Sequence, residues 1–223
     1  SDRWSREYRQ RLLRDDITSI EMIEDLGSAE LLLMRLPELV GSTLSINSLR
    51  EDLQKSFKAV SRWLELFERF YAIYRITPFA IPKMKAVKKE RKHYHYDWNL
   101  VKDEGARFEN LIASHLLKWC NFYEDTRGQD VSLHFFRDLE QREVDFVICK
   151  DGNPNIIVEV KLSDAPISKD LIYLKRKLPK AQAFQIHLRG KKYFQSDDGI
   201  TVGPAFQILP EIKLALENSI LSD

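Results

Sequence analysis

The stretch that decides the fold is Arg142–Ser163, "REVDFVICKDGNPNIIVEVKLS". Its two apolar runs, joined by the turn residues "DGNPN", read as an antiparallel hairpin. Three charges, Asp145, Glu159 and Lys161, interrupt those runs. A charge in a sheet covered on both faces costs free energy unless it is paired or gathered around a metal. With the turn symmetric about Asn153, Asp145 lies opposite Lys161 and Val147 opposite Glu159. Cross-strand partners share a face and side chains alternate with period two, so the three charges converge on one face. A slip of one residue would part Asp145 from the other two.

Both faces of these strands are otherwise apolar (Val144, Phe146 and Ile148; Ile156, Val158 and Val160), as in central strands. On spacing alone two readings stay open. One is a structural bridge between Asp145 and Lys161 at a sheet edge, with Glu159 reaching water. The other is a hard divalent cation such as Mg2+, or Mn2+ in its place, held by the two carboxylates with positions left for water and a phosphate. Lys161 would then orient the attacking water or neutralise phosphate charge.

Around this hairpin lies a chain of 223 residues, 43% hydrophobic and 31% charged, which fits a soluble protein of one or two domains. No apolar run approaches the roughly 18–20 residues of a membrane span. The opening "SDRWSREYRQRLLRDD" is too charged for a secretory signal, so no membrane partner and a cytoplasmic location are expected. A first residue other than methionine suits a piece of a longer protein. Cys120 and Cys149 make neither a zinc quartet nor a disulfide framework and read as buried thiols. Net charge is +1, so any nucleic-acid signal must be local. One basic run holds Lys83, Lys85, Lys88, Lys89, Arg91 and Lys92; a second holds Lys169, Lys175, Arg176, Lys177 and Lys180. Each is also what a solvated face looks like.

Periodicity places an amphipathic helical segment over 3–25. A helix capped by Ser28 follows, ending near Gly41, then a short helix capped by Ser45 or Asn47. A longer helix carries the stripe Phe57, Val60, Leu64 and Phe67. Strands are expected in "YAIYRITPFA" and "HYHYDW". Helices followed by a strand pair make a winged helix over 26–96. After Asp97 comes a long helix with Phe108, Leu111, Ile112, His115, Leu116 and Trp119 on its apolar side. Three strands, a helix over about 168–178, a fourth strand and a closing strand and helix follow. The order αβββαβ describes a mixed-sheet domain over 97–223. His93 and His95 alternate on the wing strand and could pair on a metal, but no third ligand is suggested and surface or phosphate contact is expected; His115, His134 and His187 read as structural.

Asp145 followed by Glu159 and Lys161 in "VEVK", behind a helix carrying Glu109, resembles the PD-(D/E)XK nuclease superfamily, especially its archaeal Holliday-junction-resolvase-like members. The succession "YRQRLLRDDI", "LSINSLREDLQKSFKAVSRWLELFERFYAIYRITPF", "KHYHYDWNLV", "EGARFENLIASHLL", "FFRDLEQREVDFVI" and "IIVEVKLS" resembles the C-terminal region of a prokaryotic family of AAA-type ATPases. In that family a P-loop core is followed by a winged helix and a nuclease-like domain of unknown function. The resemblance implies an α/β and α+β chain. Residues 1–25 would be the helical tail of an upstream ATPase lid, 26–96 the winged helix and 97–223 a restriction-endonuclease-like domain. It further implies Asp145 and Glu159 as metal ligands with the Val160 carbonyl, Lys161 as the catalytic lysine and Glu109 as a supporting acid. Partners would be DNA, an upstream ATPase core or another protein. No G-x-x-x-x-G-K-[ST] loop occurs, so ATP binding by that mechanism is not expected. The rival expectation is a non-catalytic DNA- or protein-binding regulatory module that keeps the nuclease fold without turnover.

Overall fold

The computed structural model describes residues 25–80 and 91–221. The expected helical segment at 3–25 and four of the basic-run lysines, Lys83, Lys85, Lys88 and Lys89, lie outside the described residues, Asp25 excepted. The described chain is mixed α/β, with six α-helices and nine strands. It divides into two compact units: 1–75 with 90–110, and 76–89 with 111–223.

The first unit opens with α1 (Leu26–Arg35), whose N-cap is Asp25, accepting from the Ser28 amide, rather than Ser28 itself. Pro37 cannot continue the α-helical ladder, and the chain tightens into a 3-10 turn at Leu36–Leu39. Strand β1 (Thr43–Leu44) leads to α2 (Ile46–Leu53), capped by the Ser45 hydroxyl, and α3 (Phe57–Arg69), capped by Ser56. Val60, Trp63, Leu64, Leu66 and Phe67 of α3 pack with Leu32, Leu33 and Leu49 into one core. Phe57, expected in that stripe, is exposed because the buried face begins a turn later, at Val60. Strands β2 (Ile73–Pro78) and β3 (Arg91–His95) follow, and β3 runs antiparallel to β1 with Thr43 opposite Lys92.

Helix α4 (Glu104–Arg127) buries Phe108, Ile112, Leu116, Cys120 and Tyr123. That stripe is turned slightly from the expected one: Leu111, His115 and Trp119 are only half-buried. In the second unit the strands are β4 (Val131–Arg137), β5 (Glu143–Lys150), β6 (Asn153–Lys161), β7 (Gln182–His187), β8 (Phe194–Gln195) and β9 (Ile200–Pro204). Helix α5 (Lys169–Lys177) crosses from β6 to β7, and α6 (Ala205–Leu221) closes the described chain. The strand order here is β4-β5-β6-β7-β9-β8, with Thr77 and Pro78 of β2 running parallel beside β4. Pairs β4–β5, β5–β6 and β8–β9 are antiparallel; β6–β7 and β7–β9 are parallel.

Val147 and Cys149 of β5, Ile157 of β6 and Ala183 of β7 share a core with Leu171 and Leu174 of α5. Side chains of equal parity on these strands therefore face α5. Asp145, Glu159, Lys161, Gln185 and His187 belong to that set.

Candidate functional site

The β5–β6 hairpin turns on two residues, Asp151 and Gly152, both with positive φ (51° and 72°), the geometry of a type I′ turn. Lys150 pairs with Asn153 and Cys149 with Pro154, but Ile148 pairs with Ile156, so Asn155 is an extra residue in β6. Beyond this bulge Val147 faces Ile157 and Phe146 faces Val158, which sets Asp145 across from Glu159. The expected pairing, with Lys161 opposite Asp145, is thus two residues out of step. Two residues preserve the face, so Asp145, Glu159 and Lys161 stand together as the alternation required.

Glu159 is 5% exposed although it is an acid. Its Oε1 accepts from Lys161 Nζ at 2.6 Å, while its Oε2 is buried with no hydrogen-bond partner. Burial raises the Glu159 pKa well above the ordinary carboxylate range, the Asp145 charge raises it further, and Lys161 opposes both. Asp145 Oδ2 accepts from the Val160 amide at 2.8 Å, a carboxylate taking the place of a ladder carbonyl where the hairpin opens. Two carboxylates share this face, one buried with an oxygen that has no hydrogen bond, and a half-exposed lysine is bonded to the buried one. This donor set fits a hard divalent cation. Among the described residues no group of three or more His, Cys, Asp or Glu side chains is placed to hold a metal, so further ligands would come from backbone or water.

The start of α5 is pinned beside these residues. Asp170 accepts from the Glu143 amide at 3.1 Å, and the Arg142 guanidinium lies 3.8 Å over the Tyr173 ring. Arg142 is itself held by Asp138, which also accepts from the amides of Glu140 and Arg142. Gln185, across from Glu159 on β7, is 1% exposed and reaches the chain just before α5. Sequence reasoning missed it because its place beside Glu159 depends on the parallel β6–β7 register, which no local pattern reveals.

Glu109 belongs to the first unit, where its Oε1 accepts from the Tyr94 hydroxyl at 2.8 Å and lies 3.5 Å from Lys92 Nζ. Lys92 is fully buried against it, so its ammonium is not on a phosphate-facing surface as expected. His93 and His95 on the opposite side of β3 are also fully buried, not surface groups. His93 Nε2 bonds the Leu36 carbonyl at 2.8 Å, and burial pulls its pKa down to about 4. Of the remaining basic residues, Arg91 is exposed. Lys175 donates to the Pro179 and Ala181 carbonyls and thereby closes the end of α5. Lys177 and Lys180 are exposed, with Lys177 near the Tyr173 ring, and Arg176 pairs with Asp198. A basic surface not foreseen lies on α3, where Lys58, Arg62 and Arg69 recur at helical spacing on the exposed side and line a hollow of about 490 Å³ with Glu65. That spacing was readable in the sequence.

Comparison with known proteins divides the chain in two. Residues 1–103 match a family model described as a domain of unknown function (DUF8612), and residues 104–208 match another so described (DUF4143). No curated protein and no solved structure matches.

Proposed function

We propose that this chain is a nucleic-acid-binding module with a divalent-cation-dependent phosphodiester hydrolase site on Asp145, Glu159 and Lys161. The observation that carries this reading is Glu159: a buried acid facing Asp145, with Oε1 on Lys161 and Oε2 buried without a hydrogen bond. Two carboxylates placed so stay costly with one lysine between them unless further positive charge meets them. Asp145 and Glu159, with the Val160 carbonyl, would hold Mg2+ or Mn2+. Such a cation stabilises charge on a phosphate and makes a bound water more acidic. Lys161, 38% exposed, would meet the phosphate or the water from the solvent side.

Element order supports the architecture that goes with this reading. In the first unit α1, β1, α2, α3, β2 and β3 follow one another as in a winged helix, and α3, with Lys58, Arg62 and Arg69 exposed, would face the phosphates. In the second unit the hairpin, crossover helix and parallel strand would correspond to the strands and helix of a PD-(D/E)XK core. With its resemblance to the C-terminal region of AAA-type ATPases, the chain would act beside an upstream ATPase core, in the cytoplasm. A second reading, a regulatory module without turnover, is favoured by Glu109, whose carboxylate serves Tyr94 and Lys92.

Cleavage of branched, single-stranded and duplex DNA with Mg2+ or Mn2+ separates the two. We expect Asp145→Ala and Lys161→Ala each to lower the rate about 100-fold or more. Cleavage that survives both changes sinks the site, and no cleavage of any substrate favours the regulatory reading.

A further inference from the structure

We infer that Gln185 is a positioning residue of the Asp145–Glu159–Lys161 site, holding the segment that follows Lys161 as a fixed wall beside it. The inference rests on the site reading given above. The seven residues 162–168 join Lys161 to α5 without regular helix or strand. Ile167 packs on the core beneath α5, and Ser168 caps that helix. The other anchors come from β7 and the residues just after it. At its start the Leu162 carbonyl accepts from the Arg189 amide at 3.0 Å. In its middle Asp164 Oδ1 lies 3.3 Å from His187 Nε2, which donates to the Lys192 carbonyl at 3.0 Å.

At its end Gln185 does most of the work. Its Oε1 accepts from the Ser168 amide at 2.9 Å, and its Nε2 donates to the carbonyls of Ala165 (3.3 Å) and Pro166 (3.2 Å). One buried amide thus satisfies three backbone groups that have turned away from the sheet. Only an amide has both the acceptor and the two-proton donor this requires. Gln185 is also the direct partner of Glu159 in the parallel register, as His187 is of Lys161. The residues that grip the segment are therefore the immediate neighbours of the acid and the lysine. Gly190 completes the arrangement, because a Cβ there would run into the Asp164 carboxylate and the His187 ring. An apolar residue at this 1% exposed position would leave those three backbone groups without their partner. A glutamine there, spent entirely on the segment leaving Lys161, ties the place of that lysine to β7.

The test compares Gln185→Leu and Gln185→Glu with the unaltered chain, reading the exchange rate of the Ser168 amide, Mn2+ affinity and Mn2+-supported DNA cleavage. For Gln185→Leu we expect faster Ser168 exchange and a 10- to 100-fold fall in kcat, with KM for DNA changed less than about two-fold. Gln185→Glu keeps the shape, but its carboxylate would face two carbonyls. Only its protonated form can donate, and to one of the two, so its activity relative to the parent should recover in part as pH falls and collapse as pH rises. Melting curves of the variant at each pH show where it is folded, and the recovery is read only within that range, so a general loss of stability does not produce it. If the parent binds Mn2+ without cleaving DNA, the same comparison is read on Mn2+ affinity. Unchanged Ser168 exchange in Gln185→Leu, or faster exchange with unchanged kcat and affinity, overturns the positioning role while leaving the site intact. Mn2+ bound equally by the parent and by Asp145→Ala, or by neither, overturns the site reading and this inference with it.

Discussion

At the scale of single residues, the site is defined by one acid in an unfavourable place. Burial and the facing Asp145 hold the Glu159 pKa above its value in the unfolded chain, so the folded state keeps a proton that the unfolded state gives up. A raised folded pKa contributes stability that is full below the ordinary carboxylate range and is lost as pH climbs through the raised value. Glu159→Gln carries no such proton. At pH 8.5 we expect Glu159→Gln to melt above the parent by a few degrees, about 1–2 kcal/mol, and the gap to shrink toward pH 5. Mn2+ should stabilise the parent more at pH 8.5 than at pH 6, because ligation requires the proton to leave, and should not stabilise the variant. Melting curves at the two pH values check both statements; a variant that melts below the parent at pH 8.5 contradicts the cost assigned to the ionised acid.

At the scale of elements, the bulge at Asn155 reconciles the turn with the core. The Asp151–Gly152 turn alone would pair Asp145 with Val158 and send the carboxylate to the apolar face of β6. The extra residue restores the face on which Asp145 meets Glu159. Deleting Asn155 leaves Phe146 opposite Val158 and merely straightens β6, so near-parental melting and retained Mn2+ binding are expected. Inserting an alanine after Asn155 moves Glu159 and Lys161 to the far face relative to Asp145, and should abolish binding and cost several degrees in Tm. Equal tolerance of the two changes would show that register does not build the site. The same hairpin shows what a sequence reveals and what it hides. Alternation marked β5 and β6 and put three charges on one face, since parity survives a two-residue shift. The turn was harder to read because Pro154 looks like a loop residue; it is tolerated because β6 begins its pairing with β7 only at Ile156. The partners of Gln185 and Glu109 could not be read: those of one follow from a parallel crossover, and those of the other are Tyr94 and Lys92 of β3, of which Lys92 looked like a surface cation.

At the scale of the whole chain, a net charge of +1 over 223 residues supplies no general attraction for nucleic acid. The proposed binding would therefore have to come from local surfaces, and the described residues offer two: Lys58, Arg62 and Arg69 on α3, and Lys169, Lys177 and Lys180 around α5. Each neutralised phosphate contributes about −0.9 to the slope of log K against log salt. Three contacts on α3 then give a slope near −3, or about a 50-fold loss of affinity between 50 and 200 mM salt. Changing Lys58, Arg62 and Arg69 together to alanine should flatten the slope by about three and weaken binding alike for every DNA sequence, because phosphate contacts carry no base information. The corresponding triple change at Lys169, Lys177 and Lys180 should lower cleavage more than it lowers affinity if those cations only steer the strand toward Lys161. Fluorescence anisotropy across a salt series measures the slopes. A salt-independent affinity, or a slope untouched by the α3 change, would remove nucleic acid from the first unit and leave that surface to a protein partner.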